Sequence, residues 1–286
     1  TYQYDHVLRL IKTVHQLQEG TATPKPAVIL AENTYDELGR LKTNKKNNNA
    51  NLTSTYGYNV RSWTKTNTSP LFSQNLYYND QYAGSLKRYN GNVGAMTWQV
   101  QGDKLRGYTF VYDNLSQLTS TKYFENGTAS NNYKTQYTYD KHGNMRTLQR
   151  YGKMTASTYG IVDNVTLTYT GNQLTKATDA IGTISLTESN DFKDYANTAT
   201  EYVYNRNGAM TKDLNKGITD IQYNSLNLPK RMDTKSPVAE ARNEYTYQAA
   251  GAKLKVVQKW NPNYSTAQII DSAIHERSLP ETETTA

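Results

Sequence analysis

Carboxylates are the first residues in this chain whose type and spacing could do chemistry. Asp5, Asp36, Asp113 and Asp140 each directly follow a tyrosine. Carboxylates serve as acid and base groups and as oxygen ligands for calcium. A calcium loop gathers several of them within about a dozen residues. These aspartates lie one to a motif and give way to Asn59, Asn205 and Asn224 at equivalent places. Asp or Asn at such a position reads as a turn former, whose side chain hydrogen-bonds backbone two residues on. Glu188, Asp191 and Asp194 come nearest to an acidic cluster, and their spacing reads as a solvated loop. His6, His15, His142 and His275 are scattered without the spacing of metal ligands. There is no Gly-x-Ser-x-Gly elbow, Gly152-Lys153-Met154 does not make a phosphate loop, and zero cysteines exclude thiol catalysis, zinc ribbons and disulfide scaffolds. The expectation is a chain that is not an enzyme, with no catalytic residue, no cofactor and no metal.

Aromatic residues offer a second kind of chemistry. The chain has 25 Tyr, 3 Trp and 4 Phe among its 286 residues, and rings on a sheet can stack on sugars or on bases. Trp63, Trp98 and Trp260 are the candidates, with Trp63 and Trp98 kept as alternative ligand-stacking residues. Their places in the repeat described next favour packing within a sheet. The formal charge of +7 is spread along the chain, and its densest cluster is Lys42-Thr43-Asn44-Lys45-Lys46. A nucleic-acid footprint is a stripe or patch, so the basic residues read as a solvated surface with no specific nucleic-acid partner.

These residues sit in a repeat. Tyr4-Asp5 is followed by Leu10, Tyr35-Asp36 by Gly39 and Leu41, Tyr112-Asp113 by Leu118, Tyr139-Asp140 by Gly143 and Met145, and Tyr204-Asn205 by Gly208 and Met210. The apolar residue always lies six places after the Tyr. Looser copies begin at Tyr58, Tyr169, Tyr223 and Tyr247, and degenerate ones surround Tyr78-Asn79 and Tyr89-Asn90-Gly91-Asn92. The residue two before the Tyr is apolar or aromatic in most copies, as at Tyr2, Phe110, Tyr137 and Tyr202, which puts both side chains on one face of a strand. Asp or Asn starts a turn, Gly supplies the positive φ that closes it, and the apolar residue opens the return strand.

Each copy is therefore a strand, a tight turn and a strand. A lone hairpin is marginal in water, so the units must stack into a continuous sheet. Tyr suits its apolar face, burying a ring while its hydroxyl finds a partner at a wet boundary. Val7 to Leu17 has apolar residues at helical spacing but also fits the return strand of the first copy, which is the reading favoured here. A mean hydropathy of −0.83 does not signal disorder in a chain so rich in Tyr and Thr. The longest apolar run, Ala27 to Ala31, is far short of the roughly 20 residues of a membrane-spanning helix.

The unit Tyr35-Asp36-Glu37-Leu38-Gly39-Arg40-Leu41, with Tyr139-Asp140-Lys141-His142-Gly143-Asn144-Met145, resembles the YD repeat of the Rhs (rearrangement hotspot) family. Tyr89 to Trp98 and Tyr223 to Pro229 are similar to segments common in Rhs proteins of Bacteroidetes. The resemblance covers roughly residues 1 to 258. It implies an all-β spiral of stacked antiparallel hairpins that winds into a hollow shell, enclosing a variable C-terminal toxin for delivery to a neighbouring bacterial cell. It also implies a protein that is secreted or at the cell surface, and partners in other parts of its own longer chain: further repeats, a core and the toxin, with a secretion apparatus beyond these; a glycan partner belongs to the ring-stacking alternative. In the family, aspartates of a core after the repeats carry out self-cleavage. No Asp-Pro-x-Gly motif is present here, and that activity does not carry over.

The expected organisation is a YD-repeat wall of about ten hairpins over 1–258 and an irregular polar tail over 259–286, broken by Asn261-Pro262-Asn263. Thr1 to Asp5 already reads as a strand interior, so the chain reads as a fragment. The residues that define the repeat are Tyr4, Asp5, Tyr35, Asp36, Gly39, Tyr112, Asp113, Tyr139, Asp140, Gly143, Tyr204, Asn205, Gly208, Tyr223 and Tyr247. The expected function is a non-catalytic structural segment that encapsulates or presents a polypeptide. The alternative is an adhesion or carbohydrate-binding module.

Overall fold

In a computed structural model, residues 1–235, 239–262 and 275–278 are described, and they fall into two units, Thr1–Gln136 and Tyr137–Ala286. The fold is all-β, with only three single-turn 3-10 helices among the described residues. The first unit holds β1 (Tyr2–Tyr4), β2 (Leu10–His15), β3 (Val28–Tyr35), β4 (Leu41–Lys46), β5 (Thr53–Tyr58), β6 (Thr64–Thr68), β7 (Phe72–Tyr77), β8 (Ala95–Val100), β9 (Arg106–Tyr112) and β10 (Leu118–Glu125). The strand β11 (Thr128–Tyr139) runs across the division. The second unit continues with β12 (Met145–Lys153), β13 (Tyr159–Thr170), β14 (Gln173–Asp179), β15 (Tyr202–Tyr204), β16 (Met210–Asp213), β17 (Ile218–Tyr223), β18 (Pro229–Lys235), β19 (Ala239–Tyr247), β20 (Lys253–Pro262) and β21 (His275–Ser278).

Hydrogen-bonded neighbours are chain neighbours throughout: β1 to β14 in one antiparallel sheet, β15 to β21 in a second. The repeat frame sets the strand ends. Tyr4, Tyr35, Tyr58, Tyr112, Tyr139, Tyr204, Tyr223 and Tyr247 each close a strand, and the residue six places later opens the next. The pairs Tyr4 with Leu10, Tyr35 with Leu41, Tyr204 with Met210 and Tyr247 with Lys253 face each other, each beside a one-residue register shift. That shift marks a bulge, the signature of a type I turn followed by one left-handed residue. The stretch Val7 to Leu17 contributes strand β2, as its place in the repeat requires.

Three sequence expectations are corrected. The copy at Tyr169 does not form the five-residue loop, because Thr170 pairs with Gln173 across the two residues Gly171-Asn172. Gly171 has φ 59°, and a glycine at the first central position suits a tight two-residue connection. The degenerate copies at Tyr78 and Tyr89 make no hairpin. Both lie on the loop 78–94 that joins β7 to β8. Finally, β20 carries on through Asn261 to Pro262, where these residues pair with Glu240 and Ala239. The proline thus sits at the strand's end, where a missing N–H is tolerated. Residues 263–274 and 279–286 of the expected tail lie outside the described residues.

Full burial is sparse. In the first unit it centres on Ala95, Tyr123 and Phe124, with Trp98, Tyr108 and Tyr133 packed as rings around Tyr123. In the second, Val165, Ala177 and Tyr202 form the core, with Leu148, Leu167, Leu174, Phe192, Tyr204 and Met210 against it. Most other side chains on the sheets are half-buried.

Candidate functional site

The repeat turn is a polar constellation that recurs along the described residues. In the first copy the Asp5 N–H donates to the Arg9 carbonyl at 3.0 Å and the Leu8 N–H to the Asp5 carbonyl at 3.0 Å. Asp5 Oδ1 accepts the N–H groups of Val7 and Arg9, at 3.0 and 2.9 Å, and Oδ2 accepts Arg9 Nε at 2.7 Å. Asp36 repeats this with Leu38 and Arg40, and Asp140 with His142 and Asn144. Asp113 caps the N–H groups of Leu115 and Gln117, Asn205 those of Asn207 and Ala209. Asn59 and Asn224 do the same. Burial works to raise the Asp5 and Asp36 carboxyls, but the hydrogen bonds from Arg9 and Arg40 outweigh it and hold both below the ordinary value. At Asp140 the Asn144 amide is the main cause of the same lowering. With both oxygens committed within the turn, Asp5, Asp36 and Asp140 are caps rather than acid–base groups.

The fourth residue after the Tyr is left-handed in every such turn. Gly39, Gly143, Gly208 and Gly251 have φ between 77° and 89°, while Leu8, Ser62, Ser116 and Asn227 hold the same conformation with φ between 57° and 63°. A side chain there is strained, so the hairpin geometry overrides residue type.

The repeat tyrosines do more than cover a face. Tyr35 donates its hydroxyl to the Leu10 carbonyl at 2.9 Å, Tyr58 to Leu41 at 2.8 Å, Tyr223 to Met210 at 2.6 Å and Tyr247 to Pro229 at 2.9 Å. In each case the acceptor is the residue that opens the return strand of the preceding hairpin, so each of these four Tyr staples its hairpin to the one before. Tyr112 reaches Val93 at 2.9 Å instead, because a long loop precedes it. Where water at the boundary was the expected partner, a backbone carbonyl takes its place. Burial pushes the Tyr58, Tyr112 and Tyr223 hydroxyls up, which keeps them donors. Arg9 lies over the Tyr35 ring at 4.7 Å and Arg40 over the Tyr58 ring at 4.6 Å. A single arginine thus binds its own turn's Asp and the next hairpin's Tyr. Sequence reasoning missed this link, although Arg9 and Arg40 stand at the same place in their copies.

Trp63 and Trp98 are not brought together. Trp63 packs against Tyr78 at 5.1 Å, with Arg61 over it at 5.3 Å. It lines a cleft of about 480 Å³ with Tyr58, Arg61, Asp80, Arg88 and Tyr89. Trp98 stacks on Tyr108 at 5.7 Å. Each indole has a ring partner. His6, His15 and His142 are exposed, and the side chain of His275 lies outside the described residues.

The acidic residues of 188–194 are not a solvated loop. Glu188 is exposed and pairs with Lys153 at 2.7 Å. Asp191 is buried: its Oδ2 accepts the Ile184 N–H at 2.9 Å and Lys193 Nζ at 2.6 Å. Asp194 accepts the Asp179 N–H at 3.1 Å. The loop folds back because Phe192, in its midst, packs on the apolar core and donates its N–H to Asp163 Oδ1 at 2.7 Å. Asp163 and Asp179 share one face, since Val165 pairs with Asp179 and Asp163 lies two residues from Val165. Among the described residues, Asp163, Asp179 and Asp191 form one group whose carboxylate oxygens lie within 4.8 Å of one another. Burial raises the Asp179 carboxyl, and the charges of Asp163 and Asp191 add to the effect.

A second buried carboxylate joins β14 to the strands that follow. Glu201 is fully buried, and its Oε2 accepts the Ala177 N–H at 2.9 Å and Asn215 Nδ2 at 2.8 Å. No repeat position marks it.

No family model matches this sequence, and no curated protein matches it. A solved structure of TcdB2-TccC3-TEV is 12% identical with a TM-score of 0.38, over 98% of this chain and 19% of that one. A porin-like protein from Bacteroides uniformis is 15% identical with a TM-score of 0.29, over 93% of this chain and 91% of that one. This chain thus spans about a fifth of the TcdB2-TccC3-TEV chain. Superpositions this loose carry no functional argument.

Proposed function

We propose that this chain is a non-catalytic wall segment of a YD-repeat shell, related to the Rhs proteins, which encloses or presents a polypeptide supplied by the same longer protein. The observation that carries the reading is the staple. A hairpin whose closing Tyr binds the carbonyl of the previous hairpin's return strand is a unit that adds to itself, one after another, without a partner from elsewhere. Such a unit builds wall. Its Asp and Asn side chains are spent inside the turns, and its Trp rings are spent on neighbouring rings. Non-catalytic, secreted or surface-located, and acting by sequestration are parts of the same proposal.

The test begins with the gene on both sides of the segment encoding Thr1 to Ala286. The protein that the continuous frame encodes is then treated with protease. The expected result is a downstream polypeptide that resists digestion while the sheets are folded and is cut once they are unfolded in urea. A downstream polypeptide cut as fast when attached as when alone refutes the proposal. So does retention on a glycan array that is lost on Trp98→Ala without loss of folding, which would establish the adhesion alternative.

A further inference from the structure

We infer that the carboxylate group formed by β13, the end of β14 and the following loop is a binding site for one calcium ion, with Asp163, Asp179 and Asp191 as its protein ligands. Calcium binds oxygens at about 2.3–2.6 Å, so two oxygens on one ion can be no more than about 5 Å apart. The three carboxylates meet that limit, with ligand oxygens within 4.8 Å of one another.

The second observation is independent of the clustering. Asp179 Oδ1 is held by the N–H groups of Asn164 and Ile181, at 2.8 and 3.0 Å, and Asp191 Oδ2 by Ile184 and Lys193. Their other oxygens, Asp179 Oδ2 and Asp191 Oδ1, are buried without a hydrogen-bond partner, as is Asp194 Oδ1. The Asp191 side chain is wholly out of solvent. A buried carboxylate oxygen left unpaired is costly, and Asp179 and Asp191 lie close to each other and to Asp163, where like charge adds to the cost. A cation removes both penalties at once.

Charge and donor type select the ion. Asp163, Asp179 and Asp191 bring three negative charges, against which Arg150 on Asp163 and Lys193 on Asp191 bring two positive ones, so the group stays net negative and favours a cation. All the donors are hard oxygens, which excludes a preference for zinc or copper. Magnesium keeps several waters in strict octahedral geometry, whereas calcium accepts an irregular and largely dehydrated oxygen shell. Asp163 and Asp191, both buried, offer the latter. The backbone is committed before any ion arrives, because the Phe192 N–H on Asp163 and the Ile184 N–H on Asp191 fix both carboxylates. Bound calcium would tie the loop to β13 and β14, and this role holds whatever the protein's wider function.

The experiment uses the full 286-residue chain, stripped with EDTA and dialysed against calcium chloride, with bound metal read by atomic emission. We expect one calcium per chain, retained against about a tenfold excess of magnesium, and a melting temperature raised by about 5–10 °C at a calcium concentration near a hundred times Kd. Asp191→Asn and Asp179→Asn should each weaken calcium uptake by about tenfold or more, while Asp103→Asn, in the first unit, should leave it unchanged. No uptake at millimolar calcium overturns the inference and leaves a shared proton as the group's partner. Unchanged uptake in Asp179→Asn and Asp191→Asn overturns it as well, and equal uptake of magnesium overturns the choice of ion. If Asp191→Asn fails to fold, Asp179→Asn and the native chain decide between these outcomes.

Discussion

The left-handed residue of the repeat turn can be perturbed in both directions. Leu8 and Gly208 occupy the same place in two copies, with φ of 62° and 79°. Leu8 is 82% exposed, so Leu8→Gly removes little packing. It relieves about 1–2 kcal/mol of left-handed strain and adds about 0.5–1 kcal/mol of backbone entropy to the unfolded chain. The net is a gain of about 0.5–1 kcal/mol. Gly208→Ala reverses the sign, and it does so cleanly. A Cβ at Gly208 meets only Gln173 Nε2, at 3.9 Å, so the cost is that of the backbone alone, about 1 kcal/mol. Hydrogen exchange reads both effects locally, at the amides of Asp5 and Leu8 in one turn and of Asn205 and residue 208 in the other, which close the two loops. About 1 kcal/mol corresponds to roughly fivefold in protection. Protection should rise about two- to fivefold in Leu8→Gly and fall about fivefold in Gly208→Ala. A fall in Leu8→Gly, or no change in Gly208→Ala, would refute the claim that hairpin geometry holds this position left-handed against residue preference.

Three further outcomes follow from the same geometry. Removing the staple hydroxyl in Tyr58→Phe or Tyr223→Phe should cost about 1 kcal/mol each in urea denaturation, with the ring packing kept; Tyr89→Phe, at a degenerate copy, serves as the comparison and should cost nothing measurable. Hydrogen bonds from Arg231 and then Arg242 lower the Asp233 carboxyl to about 2. A lowered folded-state value means stability that is present above the ordinary value near 4 and is lost as pH falls toward 2, about 2 kcal/mol in all; acid titration of Asp233→Asn should lack this loss, and an unchanged acid profile would remove the argument. Glu201→Ala should cost about 3 kcal/mol by stranding the Ala177 N–H and the Asn215 amide, while Glu201→Gln, which keeps an acceptor, should cost less than half of that in the same assay.

What could be read before folding is whatever depends on residues close in sequence. Tyr35, Asp36, Gly39 and Leu41 specify a strand end, a cap, a left-handed closure and a strand start, and all four interactions span six residues or fewer. The spacing therefore located the turn in the loose copies at Tyr58, Tyr223 and Tyr247 as well. It failed at Tyr169, where Gly171 directly after Thr170 makes a shorter connection, and at Tyr78 and Tyr89, which a 17-residue loop absorbs.

What only the tertiary structure decided depends on pairs distant in the chain. The acceptor of each Tyr hydroxyl lies 13 to 25 residues away, and only strand register makes it the carbonyl that opens the previous return strand. Asp191 looked solvated because its neighbours are polar. It is buried because Phe192 follows the hydrophobic core inward and carries the adjacent carboxylate to Asp163, 28 positions earlier in the chain. Local sequence chose the hairpin, whose energy is set within one turn. Burial chose the carboxylate group, whose energy is set by which residues the sheet and its covering loop keep from water.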